Sequence, residues 1–325
     1  MKGFNKILAV VNVDSSDETA IIQALRLARD YQSDICFIDV IKPPGHWRGA
    51  LTKQQLSDED ISGFIEQRRL AIEGRLMAID PSAKANIVVD LGIAFIQIIK
   101  AVINDQYDLV VKCAEKSDWM GRMLGSEDMH LLRKCPCPVL MLKPQQTHSF
   151  RNILATVDIN DASNEQADGR VQAQLNQQVL EYSATLCMPE LSELHIGSAW
   201  EAYGEDFYRN GLFSRLPEEQ VDQFVESTEK ECAAKLEKLV DQTSSVLGSA
   251  AVQYLEPKEH LVKGKPSIEI PRMIEQYSID LIVMGTVGRV GIPGLIIGNT
   301  AESILEQTQC SVLAIKPEGF KTPVA

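Results

Sequence analysis

Leu281-Ile-Val-Met-Gly-Thr-Val-Gly-Arg-Val-Gly-Ile-Pro-Gly-Leu-Ile-Ile-Gly-Asn-Thr-Ala-Glu-Ser-Ile-Leu305 is the stretch from which the rest of the chain is read. Leu281 to Met284 is a short apolar run of the kind that forms a fully buried parallel strand. Gly285, Gly288, Gly291, Gly294 and Gly298 follow. From Asn299 onward, helical spacing places Ala301, Ile304 and Leu305 on one face. Asn299 is the expected N-cap, and Glu302 three residues later would complete a capping box. Strand, glycine-rich loop and helix in that order aim free backbone N–H groups and a positive helix end at one point, where a phosphate fits. Glycine suits such a loop because an anion must come closer to the backbone than a Cβ allows. The spacing is neither Gly-x4-Gly-Lys-Ser/Thr nor Gly-x-Gly-x-x-Gly. A surface flap carrying Val290, Ile292, Leu295, Ile296 and Ile297 is the competing reading of the same residues.

Working outward, the chain repeats itself. Phe4-Asn-Lys-Ile-Leu-Ala-Val-Val-Asn12 matches Phe150-Arg-Asn-Ile-Leu-Ala-Thr-Val-Asp158, Asp108-Leu-Val-Val-Lys-Cys113 matches Asp280-Leu-Ile-Val-Met-Gly285, and Cys137-Pro-Val-Leu-Met-Leu-Lys-Pro144 matches Cys310-Ser-Val-Leu-Ala-Ile-Lys-Pro317. Three anchors in one order mark a tandem duplication with its boundary near Thr147, giving expected domains of 1–146 and 147–325. Strands are expected at Ile7–Val13, Ile35–Ile41, Ile87–Val89, Leu109–Cys113 and Val139–Leu142, and again at Ile153–Val157, Leu194–Ile196, Leu261–Lys263, Leu281–Met284 and Val312–Ile315. Helical patterns separate them, so the fold class is α/β, two tandem doubly wound, mostly parallel five-stranded sheets. Trp200 to Leu216 reads as an irregular insertion, and Glu218 to Leu247 as a long amphipathic helix.

The two copies differ where chemistry is expected. Cys113 stands in place of Gly285, and the following segment to Gly125 is one residue shorter with Gly121 as its single glycine. Glu127 and Asp128 occupy the first turn of the next helix, where carboxylates compete with a phosphate for the same dipole. The first strand ends in Asn12 in the first repeat and Asp158 in the second. The first repeat is therefore expected to bind no nucleotide triphosphate.

The Gly-x2-Gly-x9-Gly spacing of Gly285, Gly288 and Gly298 resembles the ATP-binding signature of the universal stress protein family, with Asn299 where that signature has Ser or Thr and Thr300 directly after it. The full length is similar to two such domains in one chain, as in the tandem E-type members of gamma-proteobacteria, through His130-Leu-Leu-Arg-Lys-Cys-Pro, Gly285-Thr-Val-Gly-Arg289, Gly298-Asn-Thr-Ala-Glu302 and Lys321-Thr-Pro-Val. The resemblance implies a Rossmann-type fold and ATP in the second domain alone, with Asp158 reading the base, Gly285, Gly288, Gly298, Asn299 and Thr300 cradling phosphates, and magnesium only as the nucleotide's counter-ion. It also implies that Val139–Leu142 and Val312–Ile315 pair as an intramolecular pseudo-dimer, which would remove an exposed apolar edge, and that further homo-oligomers are open to the chain. The implied role is regulatory binding in stress response, not catalysis. A second reading gives the chain an apolar or amphiphilic ligand, or a scaffold role, through Tyr203, Phe207, Tyr208, Phe213, Trp119, Met120, Met123 and Leu124. A third, slow ATPase reading lacks paired carboxylates at helical spacing beside the loop.

Composition bounds the rest. The chain has 325 residues, 45% apolar and 24% charged, and a formal net charge of −13, which argues against nucleic-acid and anionic-membrane surfaces. No apolar run reaches the length of a membrane span and the N-terminus lacks a signal-peptide core, so a cytoplasmic location is expected. The seven cysteines are odd in number and scattered, as for reduced buried thiols. Cys135-Pro-Cys137 is the one close pair; as a metal or redox site it lacks a second ligand pair, and it reads as a strand entry. His46, His130, His148, His195 and His260 show no ligand spacing, and no metal site is expected.

Overall fold

The computed structural model describes residues 3–42, 58–114, 126–145, 150–160, 167–211, 216–248, 253–286 and 298–324. In the first repeat the elements are β1 (Lys6–Val10), α1 (Thr19–Tyr31), β2 (Asp34–Ile41), α2 (Asp58–Ile79), β3 (Asn86–Leu91), α3 (Ala94–Asp105), β4 (Leu109–Cys113), α4 (Ser126–Lys134) and β5 (Val139–Leu142). The second repeat gives β6 (Asn152–Thr156), α5 (Ala167–Cys187), β7 (Glu193–Trp200), α6 (Glu205–Asn210), α7 (Glu218–Leu247), β8 (Lys258–Lys263), α8 (Pro266–Gln276), β9 (Leu281–Gly285), α9 (Asn299–Gln307) and β10 (Ser311–Ile315). Strand and helix alternate as the apolar periodicity requires, five strands to a repeat. No helix among the described residues is long and apolar enough to cross a membrane.

Two compact units emerge. One takes the described residues of Gly3–Ser149 with Gln309–Ala325. Its strands run in the order β3-β2-β1-β4-β5-β10. The first five are parallel. β10 lies antiparallel on β5, with Val312 opposite Met141, Leu313 opposite Leu140 and Ala314 opposite Val139. This is the pairing expected of the last strand of each repeat. β5 and β10 are buried along their whole lengths, as strands covered on both faces must be. The other unit takes the described residues of Phe150–Val290 with Gly298–Thr308, and its strands run β9-β6-β7-β8, all parallel.

In both units the strand order reverses beside the first strand of the repeat, between β1 and β4 and between β6 and β9. Such a reversal opens a crevice at the C-terminal strand ends, because the flanking crossovers leave on opposite faces. That geometry sets Asn12 near Cys113 in one unit and Asp158 near Gly285 in the other. A further equivalence confirms the duplication. Gly92 and Gly264, at φ of +152° and +145°, donate their N–H groups to the C=O of Ile41 and Trp200, the last residues of β2 and β7. A Cβ on either would collide with Gln97 at 2.6 Å or Glu269 at 2.8 Å.

The insertion after β7 is more ordered than its sequence implies. β7 continues to Trp200, whose side chain is fully buried, and α6 follows with its Arg209 Nε donating to Glu205 Oε1 at 3.0 Å. Glu205 is also 2.6 Å from Lys263 Nζ, and Arg209 is 2.6 Å from Asp222, so α6 is tied to β8 and to α7. The sequence pattern missed this helix because it is only six residues long and is held by contacts to β8 and α7, those ion pairs among them, and not by an apolar stripe of its own.

Lys316, just past β10, is enclosed by protein, and its Nζ donates to the C=O of Leu132 at 2.5 Å. Burial lowers its pKa to about 7. Between about pH 7 and about pH 10 the unfolded chain then holds the proton and the folded chain does not, so stability rises with pH across that window. Lys316→Met is expected to flatten the rise and to stabilise the protein near pH 7, read as urea midpoints of both proteins near pH 7 and near pH 10.

Candidate functional site

Asp158 follows β6 and is exposed, yet its backbone is held from both sides by Asn176 of α5. The Asp158 N–H donates to Asn176 Oδ1 at 3.1 Å, and Asn176 Nδ2 donates to the Asp158 C=O at 2.6 Å. The carboxylate accepts from the N–H of Asn160 at 3.0 Å and from Asn160 Nδ2 at 3.3 Å. Asn160 Nδ2 also donates to the C=O of Ala199, which ties the turn to the end of β7. In the first repeat Asn12 Oδ1 accepts from the N–H of Asp14 at 2.9 Å, the same turn. The position therefore shapes a turn in both copies. What separates the copies is the negative charge at Asp158.

At the other side of this crevice, Leu281 to Met284 are buried as the apolar run requires. Gly285 has a packing reason of its own: a Cβ there would lie 2.5 Å from Leu175 Cδ2 and 2.9 Å from Leu175 Cγ, on α5. Thr286 is fully buried, and its C=O accepts from the Gly298 N–H at 3.2 Å. The two ends of the glycine loop thus sit side by side. Gly288, with Arg289, Gly291 and Gly294, falls outside the described residues.

Gly298, not Asn299, is the N-cap of α9. Its extended backbone (φ −60°, ψ 140°), with its N–H engaged by Thr286, starts the helix one residue sooner than the sequence implies. The first helical bond runs from the Glu302 N–H to the Gly298 C=O at 2.9 Å. Glu302 is then one position too late for a capping box, and Gly298 itself has no side chain to cap this end. The amides of Asn299, Thr300 and Ala301 precede the first intrahelical donor. Asn299 and Thr300 are exposed, so the positive end of the helix faces outward, with Glu302 in its first turn where α4 carries both Glu127 and Asp128.

The first repeat treats the equivalent place differently. Lys112 of β4 and Asp128 of α4 are both buried and lie 2.5 Å apart. Their counterparts in the second repeat are Met284 and Ala301. Asp128, expected to compete with a phosphate at the first helical turn, is turned inward to this lysine, and Glu127 accepts from the Phe95 N–H at 3.4 Å. Cys113, in place of Gly285, carries a thiol that burial and then the Asp17 carboxylate push up to about 12.

A second charged group closes the strand-one side. Arg68 of α2 donates from Nε to Asp39 at 2.5 Å and from both terminal nitrogens to Asp14 at 3.0 Å. Arg75 Nη2 donates to the Val13 C=O at 2.7 Å. Strand registers make Ser198, whose hydroxyl donates to the Val157 C=O, the counterpart of Asp39. Sequence reasoning missed this group because its members lie far apart in the chain. Asp39 alone gave a signal, an acid inside the apolar run Ile35–Ile41, since a buried carboxylate demands a partner.

Parallel pairing also brings together two histidines that sequence spacing left apart. His195 Nδ1 is 2.9 Å from His260 Nε2, and His260 stacks on Tyr277 at 4.1 Å. Among the described residues no group of three potential ligands is placed to hold a metal ion. Of the residues suggested for an apolar ligand, Tyr203 and Phe207 are exposed, Tyr208 meets Phe224 edge-on at 5.9 Å, and Phe213 and 119–124 fall outside the described residues. An apolar cavity between α5, β7 and α7, lined by Leu180, Leu194, Ile196, Val240 and Leu255, encloses about 20 Å³, the room of one water.

Residues 3–143 and 211–316 match the model of the universal stress protein family. The chain belongs to that family. It is similar to universal stress protein E of Escherichia coli (strain K12), 29% identical over 233 residues, 71% of this chain and 67% of that protein. It is similar along nearly all of both chains to the universal stress protein E homolog of Haemophilus influenzae, 26% identical over 325 residues, 97% of this chain and 98% of that protein. In fold it resembles a functionally unknown protein from Pseudomonas aeruginosa, with a TM-score of 0.68, 21% identity, and coverage of 98% of this chain and 94% of that one. It also resembles a universal stress protein from Archaeoglobus fulgidus, with a TM-score of 0.61, 18% identity, and 96% of each chain covered.

For this family member the packing at Gly285 gives a ligand-free prediction. Gly285→Ala forces Leu175 to move and should cost about 1–3 kcal/mol. Chemical denaturation without nucleotide checks it, and Leu175→Ala in the same chain should recover much of the loss as a coupling energy.

Proposed function

We propose that the second repeat binds an adenine nucleotide, ATP foremost, and that the protein acts through this binding and not through turnover. In this reading 1–146 and 147–325 are sister domains with the ligand confined to the second. Asp158 accepts from the exocyclic amine of the base. Gly285, Gly288 and Gly298 admit the phosphates to the backbone, the amides and side chains of Asn299 and Thr300 bind them, and magnesium arrives with the triphosphate.

The observation that carries the reading is the contrast between the two helix starts. In the second repeat Gly298 gives the α9 amides no side-chain cap, and the positions that match Lys112 and Asp128 are the uncharged Met284 and Ala301. In the first, Lys112 and Asp128 neutralise each other at the same place, and Arg68 is saturated by Asp39 and Asp14. A phosphate there would have to displace satisfied charge pairs, whereas at α9 it completes an open one. Asp158 supports the same assignment: four hydrogen bonds fix its backbone and one face of its carboxylate, the pre-organisation that base recognition needs.

Isothermal titration of the full chain with magnesium and ATP tests this. One site per chain is expected, with Asp158→Ala weakening it about tenfold to a hundredfold through loss of a charged hydrogen bond. GTP, which lacks the amine at that position, should bind much less tightly. No heat with ATP, or two equal sites per chain, contradicts the proposal.

A further inference from the structure

We infer that Cys135 and Cys137 form a reversible dithiol–disulfide couple, a redox modification site at the corner between α4 and β5. Their sulfur atoms lie 3.6 Å apart. The corner holds them there: the Cys135 N–H donates to the Leu131 C=O as the last bond of the helix at 2.9 Å, Pro136 fixes its own φ, and β5 begins at Val139, paired with Ala314. Residues two apart have Cα atoms separated by at most about 7 Å, and the chain bends at Pro136 and Cys137, which brings them inside the span of about 4.4–6.8 Å that a disulfide tolerates. The pair spacing in sequence reads as a strand entry; the sulfur contact is what gives it chemistry.

A third group completes the corner. Lys316 Nζ donates to the C=O of Leu132, and the neighbouring Cys135 thiol is the one group that pulls its pKa back upward against burial. With a pKa of about 7, the lysine is partly a neutral amine at neutral pH and can accept a proton.

The oxidant is a hydroperoxide. Cys137, buried but less completely than Cys135, attacks the peroxide oxygen as a thiolate. The O–O bond breaks, an S–O bond forms, and the departing hydroxide takes the thiol proton as water, leaving a sulfenic acid. The Cys135 sulfur then attacks Cys137 Sγ. The S–O bond breaks, the S–S bond forms, and hydroxide leaves with the Cys135 proton, passed through Lys316, as a second water. Two thiols give two electrons to one O–O bond. Burial holds the Cys137 thiol well above its ordinary range, so the first step is slow and the pair answers sustained oxidant. A small dithiol reverses the couple by exchange.

The test is graded hydrogen peroxide on the full chain, then alkylation, digestion and mass spectrometry. The peptide holding both cysteines should lose the mass of two hydrogens, resist alkylation, and recover with dithiothreitol. Cys135→Ser should stop Cys137 at a sulfenic acid trapped by dimedone. Lys316→Met should slow disulfide closure severalfold near neutral pH while sulfenic acid accumulates. The inference is overturned if Cys135 and Cys137 stay alkylatable while partly exposed Cys113 oxidises, or if their peptide gains oxygen without losing hydrogens. Neither result bears on nucleotide binding.

Discussion

Lys112 and Asp128 are both shut away from water, and charges so placed persist as a pair or not at all. Their contact locks the end of β4 to the start of α4 in the first repeat. Losing one partner would strand the other at a cost of about 3–5 kcal/mol, so the first crevice is committed to its own charges. Arg68 extends the commitment across the end of β1 by holding Asp39 and Asp14 together. The second repeat, built on the same strand order, has the uncharged Met284, Ala301 and Ser198 at the matching positions. The two copies thus differ in where charge is buried.

Glycine in this chain answers to two constraints that a spacing pattern cannot separate. Gly285 is required by Leu175 whether or not a phosphate ever approaches. Gly298 spends its N–H on the Thr286 carbonyl and its C=O on the first helical bond, and by doing so exposes the three amides that follow. The redox corner at Cys135 and Cys137 stands apart from this arrangement, although α4 carries both it and Asp128.

Sequence periodicity reported the fold well because buried parallel strands are nearly continuous apolar runs, and both Leu109–Cys113 and Leu281–Gly285 are of that kind. The repeat anchors at Phe4 and Phe150 fixed which strands are equivalent, and the family resemblance pointed to β5 and β10 as partners. Three features were hidden. The start of α9 depends on a loop-closing bond between Thr286 and Gly298, a non-local fact, so Asn299 was read as the cap. Helix α6 is stabilised by ion pairs to Lys263 and Asp222 that no local pattern shows. The Arg68 group joins three segments whose proximity exists only after folding. At the candidate site, Asp158, Gly285, Gly298, Asn299 and Thr300 were all legible as residues of interest, but the packing of Gly285 against Leu175 is visible only in three dimensions.

The most direct measurement is diffraction from crystals of the full chain soaked with a non-hydrolysable ATP analogue and magnesium. The account predicts triphosphate density at the amides of Asn299, Thr300 and Ala301, the base beside Asp158, and none over Lys112 and Asp128. Phosphate density seated against α4, or a nucleotide displacing Arg68 from Asp39, would contradict it.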